Sequence, residues 1–204
     1  YFKQDNIGLT KSLNIAIDLA RGKYIARIDA DDISYKNRLE LQYNFLESTD
    51  CAMVGAQRII KDNINNKIRK DSLPLTTNEI RKTGIINNPF FHSLVMIRKN
   101  ILNNVGKYDK TFTYVQDYEL WSRIIYKYSV ANLDVILGEK IINSNAISFR
   151  KDIAFERNVF SFKAKFRHYK NGSHQITTLI YFVRPIIRII RSIPNFLWRK
   201  LTNG

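Results

Sequence analysis

Cysteine is nearly absent: Cys51 is the only one in 204 residues. No disulfide can close within the chain and no zinc site can be built on several thiolates, which points to a reducing compartment. Proline is scarce, with four residues, and glycine numbers only eight, so a collagen-like or Pro/Gly-rich disordered chain is excluded. No internal repeat or low-complexity linker breaks the sequence. An initiator methionine is missing at Tyr1-Phe2-Lys3, and so is the basic, apolar and small-residue succession of a signal peptide. Such a start is expected of a processed chain or of a piece of a longer one. Acidic residues are missing altogether after Glu156, a stretch that holds Arg157, Lys163, Lys165, Arg167, Lys170, Arg184, Arg188, Arg191, Arg199 and Lys200.

What is present describes a folded protein. Hydrophobic residues make up 45% and charged residues 25%, enough for one packed domain, or one domain with an appendage. The formal net charge is +15. A basic surface attracts polyanions, and charge alone does not choose between nucleic acid and anionic lipid.

Apolar spacing predicts helices over 9–20, 38–46, 77–84, 99–105 and 117–128, and strands over 24–28, 51–60, 93–97 and 130–137. Gly22 and Gly106 are natural stops, and residues 62–66 form a turn. The alternation argues for an α/β sheet with helices on its faces. From about residue 143 that rhythm is lost. The expected organisation is therefore a domain over 1–142 and a basic, partly amphipathic helical tail over 143–204.

Asp29, Asp31 and Asp32 stand where the apolar strand of residues 24–28 ends. Ligand sites in open α/β sheets gather at the carboxyl ends of strands. Three carboxylates in four residues need a cation or hydrogen-bond donors, and Mg²⁺ or Mn²⁺ prefers oxygen ligands. The alternative is an acidic turn in which Asp32 caps the next helix.

The run from Asn6-Ile7-Gly8-Leu9 through Gly22-Lys23-Tyr24-Ile25-Ala26-Arg27-Ile28-Asp29-Ala30-Asp31-Asp32 to Arg38-Leu39-Glu40 resembles family-2 glycosyltransferases of the GT-A fold. So do Asn88-Pro89-Phe90-Phe91-His92-Ser93, and Gly106-Lys107-Tyr108-Asp109 followed by Gln116-Asp117-Tyr118-Glu119-Leu120-Trp121-Ser122-Arg123. The resemblance implies a partial GT-A (Rossmann-like) α/β sheet, covering roughly the second half of the catalytic domain. It implies Asp31 as the main ligand of Mn²⁺ or Mg²⁺, and Asp29 near the ribose or in the metal shell. Asn6 and Gly8 join these two in holding the nucleotide sugar. Asp117 becomes the general base of an inverting transfer. His92 is a contact to phosphate or acceptor, or a histidine tucked under a loop. Asp32 is left between metal binding and helix capping. Glu119 serves packing or solubility, with Arg123 its i,i+4 partner.

No Gln-x-x-Arg-Trp follows Asp117. Processive synthases carry that motif, so transfer of a single sugar is expected; a UDP-sugar donor and a surface-glycan or lipid-linked acceptor are what the resemblance implies. The resemblance finds no counterpart here for the strands that hold base and ribose, so the chain alone is expected to be nearly inactive. The tail, with arginines and prolines interrupting Thr177 to Leu201, does not read as a membrane span. Its cationic and apolar faces suit an anionic membrane surface, at the cytoplasmic side; packing back on the domain is the alternative. Two other functions fit parts of the pattern. A haloacid-dehalogenase-like phosphatase also places Asp-x-Asp after a strand, but its later Lys and acidic pair find no counterpart. A nucleic-acid-binding protein would explain the charge, but no fingerprint for specific binding is present.

Overall fold

A computed structural model describes residues 2–143, 152–172 and 182–193. It begins with helix α1 (Leu9–Leu19), strand β1 (Tyr24–Ala26), the two-residue strand β2 (Ile33–Ser34) and helix α2 (Arg38–Glu47). A hairpin of β3 (Met53–Asp62) and β4 (Lys67–Asp71) leads to helix α3 (Thr77–Ile86). A 3-10 turn at His92–Leu94 precedes β5 (Met96–Arg98), α4 (Lys99–Val105), α5 (Gln116–Ile124) and the long β6 (Val130–Ile142). Helices α6 (Ala154–Asn171) and α7 (Val183–Arg191) complete the described chain.

The strands form one mixed sheet in the order β1-β5-β3-β6-β2, with β4 paired to β3. Among the described residues only β3 and β6 run parallel; the other pairings are antiparallel. The central strand β3 is buried along its first half, as its run Met53-Val54-Gly55-Ala56 requires of a strand covered on both faces.

Local chemistry explains most boundaries. Thr76 and Glu79 form a reciprocal capping box at the start of α3. Gly106, at φ 88°, supplies the left-handed residue that closes α4. The main core gathers Ile17 of α1, Met53 of β3, Ile80 of α3, Leu102 of α4, Trp121 and Ile124 of α5, Val130 of β6 and Ala164 of α6. Helix α6 therefore belongs to the body of the domain.

Several boundaries depart from the sequence pattern: β1 ends at Ala26 rather than residue 28, β2 was not expected, and β6 runs on to Ile142. Residues 92–94 form a 3-10 turn, so the strand expected over 93–97 starts only at Met96. Helix α5 ends at Ile124, four residues early, because a turn leads straight into β6. The exposed strand β4, with alternating Lys, Ile and Arg, carried no apolar signal. Arg199, Lys200 and the apolar Phe196, Leu197 and Trp198 lie outside the described residues.

Candidate functional site

The chain leaves β1 at Ala26 and turns through the acidic cluster. Asp29, Asp31 and Asp32 each offer a carboxylate oxygen within 4.8 Å of the others. Such crowding of like charge needs compensation. Two of the three receive it from the protein. The buried Arg27 guanidinium grips Asp29 with both terminal nitrogens, Nη1 lying 2.5 Å from Oδ2. The fully buried Ser93 hydroxyl sits 3.0 Å from Asp29 Oδ2 and also reaches Asp32 Oδ2. Ser93 Oγ in turn accepts from the Asp29 amide and from Arg27 Nη1, each at 3.2 Å. A hydroxyl has one proton to donate, so Asp29 and Asp32 share it. Burial pushes the Asp32 carboxyl above its ordinary range; the Ser93 hydrogen bond works against that, and the charges of Asp29 and Asp31 add to it. Asp31 is different. It is exposed, and among the described residues no hydrogen bond or ion pair reaches its carboxylate.

The loop is pinned from below by α2. Arg38, 2% exposed, donates from Nη2 to the carbonyls of Arg27 (2.7 Å) and Val95 (3.1 Å), and from Nε to Gln42 (3.0 Å). Gln42 in turn donates to the carbonyls of Leu94 (2.7 Å) and Val54 (3.3 Å). Burial first, then the charge of Arg27, lowers the Arg38 guanidinium to about 10. Arg38 was legible only as part of a motif; its work is to hold the acidic loop against the 92–95 segment. Asp32 does not cap α2. The capping position is Asn37, because the short β2 pairs with β6 between Asp32 and the helix.

The second half of the site starts at α5. Its N-cap is Val115, which a φ of 53° places in the left-handed region, a genuine outlier for a β-branched residue and a local store of strain. Asp117 follows in the first turn, half-buried, and accepts a hydrogen bond from Asn88 Nδ2 at 2.7 Å. It is thus not the cap itself. Glu119 is fully buried, so solubility is not its role; it forms an ion pair with Arg123 at 2.8 Å, as the i,i+4 spacing predicts.

His92 lies between the two halves. It is buried, its Nε2 is 2.7 Å from the Tyr108 hydroxyl, and the edge of Trp121 stands against it at 6.0 Å between ring centres. Burial lowers its pKa from 6.5 to about 4; Asp117 and Asp29 raise it and Arg27 lowers it. One ring therefore feels carboxylates of both motifs. Tyr108 is itself fixed by Asn14 of α1, which exchanges two hydrogen bonds with its backbone at 2.8 and 3.0 Å. Asn6 and Gly8 are exposed; Asn6 Oδ1 accepts from the Gly8 amide at 3.1 Å and Gly8 has φ 87°. A cleft of about 810 Å³ is lined by Tyr108, Lys107, Arg123 and Arg167 among others. It contains none of the three aspartates, and the carboxylate chemistry locates the site better than the volume does.

The sequence model of "Glycosyl transferase family 2" matches residues 1–112. The chain belongs to this family. The amylovoran biosynthesis glycosyltransferase AmsE of Erwinia amylovora is 29% identical over 204 residues, covering 98% of this chain and 76% of AmsE. The O-antigen biosynthesis glycosyltransferase WbnJ of Escherichia coli is 35% identical over 118 residues, 57% of this chain and 45% of WbnJ. Among solved structures, S. aureus TarS 1-349 in complex with UDP-GlcNAc superposes with a TM-score of 0.55 at 14% identity, covering 92% of this chain and 62% of TarS. That likeness gives the glycosyltransferase family 2 member the mixed α/β GT-A fold. The chain thus spans less than two thirds of the TarS chain and less than half of WbnJ.

Within this family-2 chain the structure brings together Asp29, Asp31 and Asp32, and through His92 relates them to Asp117. It also assigns work to residues that sequence reasoning quoted without a role: Arg27, Ser93, Arg38 and Asn88. Their signal was their place inside the motifs; a polar residue next to an acidic cluster had no other feature to betray its partner.

Proposed function

We propose that this chain carries the metal and acceptor-base side of a transferase that moves one sugar, with inversion, from a nucleotide sugar to a surface-glycan or lipid-linked acceptor. The observation that carries the reading is the Asp29-Asp31-Asp32 cluster. Its donor set fits Mn²⁺ or Mg²⁺: all oxygen, clustered, and with Asp31 free to ligate while Asp29 and Asp32 are held by Arg27 and Ser93. Asp31 would hold the ion, with Asp29 beside it. A divalent ion bound there supplies Lewis-acid assistance at the diphosphate leaving group.

Asp117 takes the proton of the acceptor hydroxyl. It opens a helix, where backbone N–H groups and the helix dipole favour a carboxylate, and Asn88 orients it. A carboxylate so fixed serves as a general base once an acceptor hydroxyl comes within hydrogen-bond reach. We assign His92 a supporting part, since its burial and its bond to Tyr108 keep it neutral between the two carboxylate groups. Asn6 and Gly8 stay as candidate contacts to the nucleotide. A UDP-sugar is the favoured donor, supported by the UDP-GlcNAc of the TarS complex. The glycan acceptor is supported by the biosynthetic roles in the names of AmsE and WbnJ.

No helix among the described residues is long and apolar enough to cross a membrane. Helix α7 instead exposes Val183, Ile186, Ile187 and Ile190, with spacing i, i+3, i+4, i+7, beside Arg188 and Arg191. That pattern supports peripheral attachment to an anionic membrane, where a lipid-linked acceptor resides.

Calorimetric titration of Mn²⁺ and UDP into the chain and into Asp31→Ala tests the reading. Metal-dependent UDP binding in the first and its loss in the second is expected. Equal binding by both proteins would remove Asp31 from the site.

A further inference from the structure

The tail's first helix holds down both sides of the Asp117–Asn88 pair. Ala164, Lys165, His168 and Asn171 lie along one side of α6, at helical spacing. His168 is fully buried; its ring stacks on Tyr118 at 4.3 Å between centres, and its Nε2 lies 2.8 Å from the Tyr118 carbonyl, to which it donates. Tyr118 directly follows Asp117, and its hydroxyl donates to the Gly84 carbonyl of α3 at 2.5 Å. Asn171 donates to the Ser122 carbonyl at 2.8 Å. Arg167 bonds the buried Glu119, two residues beyond Asp117, and pairs with Asp109 at 2.8 Å. On the other side, the Lys165 ammonium donates to the carbonyls of Ile85, at 3.4 Å, and Ile86. These are the last residues of α3, whose terminal carbonyls have no helical partners of their own. Two residues later stands Asn88, the donor to Asp117.

We propose that α6 is a strut that sets the position of Asp117, with Lys165, Arg167 and His168 as its positioning residues; this rests on Asp117 being the base. Three further observations fit. The sequence allows the helices to close up: a Cβ on Gly84 would sit 2.8 Å from Ile125 Cδ1 and 3.2 Å from His168 Nδ1. The Lys165 ammonium is buried with carbonyls rather than a carboxylate around it, a costly arrangement for a charge, and burial followed by the charge of Arg188 lowers it to about 8. Helix α5 also starts from the strained Val115, so its first turn needs an external hold to keep one position. The strut makes the tail part of the catalytic machinery rather than an appendage.

Two variants spare the core: Arg167→Ala, whose side chain is 39% exposed and leaves Glu119 paired with Arg123, and Lys165→Met, which keeps the aliphatic stem. Amide hydrogen exchange, read segment by segment, comes first. Exchange over 84–90 and 115–122 should rise about tenfold or more in each variant while β3 and β6 stay unchanged. In the intact protein kcat should fall about tenfold or more with the donor KM within about twofold, because a displacement near 1 Å at the reacting groups costs up to about 100-fold. Arg167→Lys should recover most of the loss. Unchanged exchange in both segments, a rise shared equally by β3 and β6, or local loosening with unchanged kcat would each overturn the strut. Asp117→Asn separates the two ideas. Unchanged kcat in that variant would sink the base assignment, while the exchange measurement still decides whether α6 fixes the 84–90 and 115–122 segments.

Discussion

Acidification should destabilise this fold through His92, and the size of the effect follows from its surroundings. Burial lowers its pKa from 6.5 to about 4, with Asp117 and Asp29 favouring the protonated ring and Arg27 opposing it. In the unfolded chain the ring titrates near its free value. Between those two values the unfolded state binds a proton that the folded state refuses. The stability is therefore whole above about pH 6.5 and is lost as the pH falls toward 4. The fall from 6.5 to about 4, at about 1.36 kcal/mol per pH unit, gives about 3 kcal/mol at the lower limit and about 2 kcal/mol by pH 5. The assay is urea unfolding with EDTA at pH 7.5, 6 and 5, on the wild type and on His92→Gln. Glutamine keeps an amide within reach of the Tyr108 hydroxyl and cannot titrate. Carboxylates remote from the ring titrate alike in both proteins, so the difference between their pH slopes reports the ring together with the Asp117 and Asp29 charges that act on it. The wild type should lose about 2 kcal/mol more than the variant by pH 5. Slopes that agree within about 0.5 kcal/mol would refute the buried neutral histidine.

Other perturbations have definite directions. Arg38→Met removes the donors to the Arg27 and Val95 carbonyls and to Gln42 and should cost about 2–4 kcal/mol in urea unfolding. Gly84→Ala forces a methyl group against Ile125 and His168 and should lower stability by about 1–3 kcal/mol, which a thermal scan detects. Val115→Gly, which gives the left-handed position its natural residue, should cost little or even stabilise despite the lost side chain. Replacing Arg184, Arg188 and Arg191 by Glu should abolish sedimentation with anionic vesicles, since each basic residue near such a surface contributes about 1 kcal/mol.

The site's acidic half was legible because its chemistry is written in one short segment: Asp29, Asp31 and Asp32 are neighbours in sequence, and an apolar strand announces where they fall. Asp117 was legible through its motif. Their supports were not, because each acts across the fold. Ser93 meets Asp29 and Asp32 over more than sixty positions, and Arg38 caps the carbonyls of two separate segments. Periodicity reports which face of an element is apolar; it says nothing of which polar side chain crosses to which strand. The helix stop at Gly106 was local and could be read directly; the capping box of Thr76 and Glu79 was equally local but went unread. The 3-10 turn at His92–Leu94 could not, since Ser93-Leu94-Val95 reads as strand until the acidic loop pulls Ser93 toward it. Charge misled most in the tail. Lys165 and Arg167 counted there toward a basic surface, yet the structure sets them, together with His168, against α3 and α5.

In the proposed site Asp31 is the free metal ligand, and Asp29 and Asp32 are tied to the protein. Free Mn²⁺, followed by electron paramagnetic resonance in the presence of UDP, tests this assignment with the substitutions Asp31→Asn and Asp32→Asn. Bound Mn²⁺ is expected in the wild type, with binding within about threefold in Asp32→Asn and at least about tenfold weaker in Asp31→Asn, the loss typical of a removed charged partner. Full binding by Asp31→Asn, with loss in Asp32→Asn, would contradict the assignment.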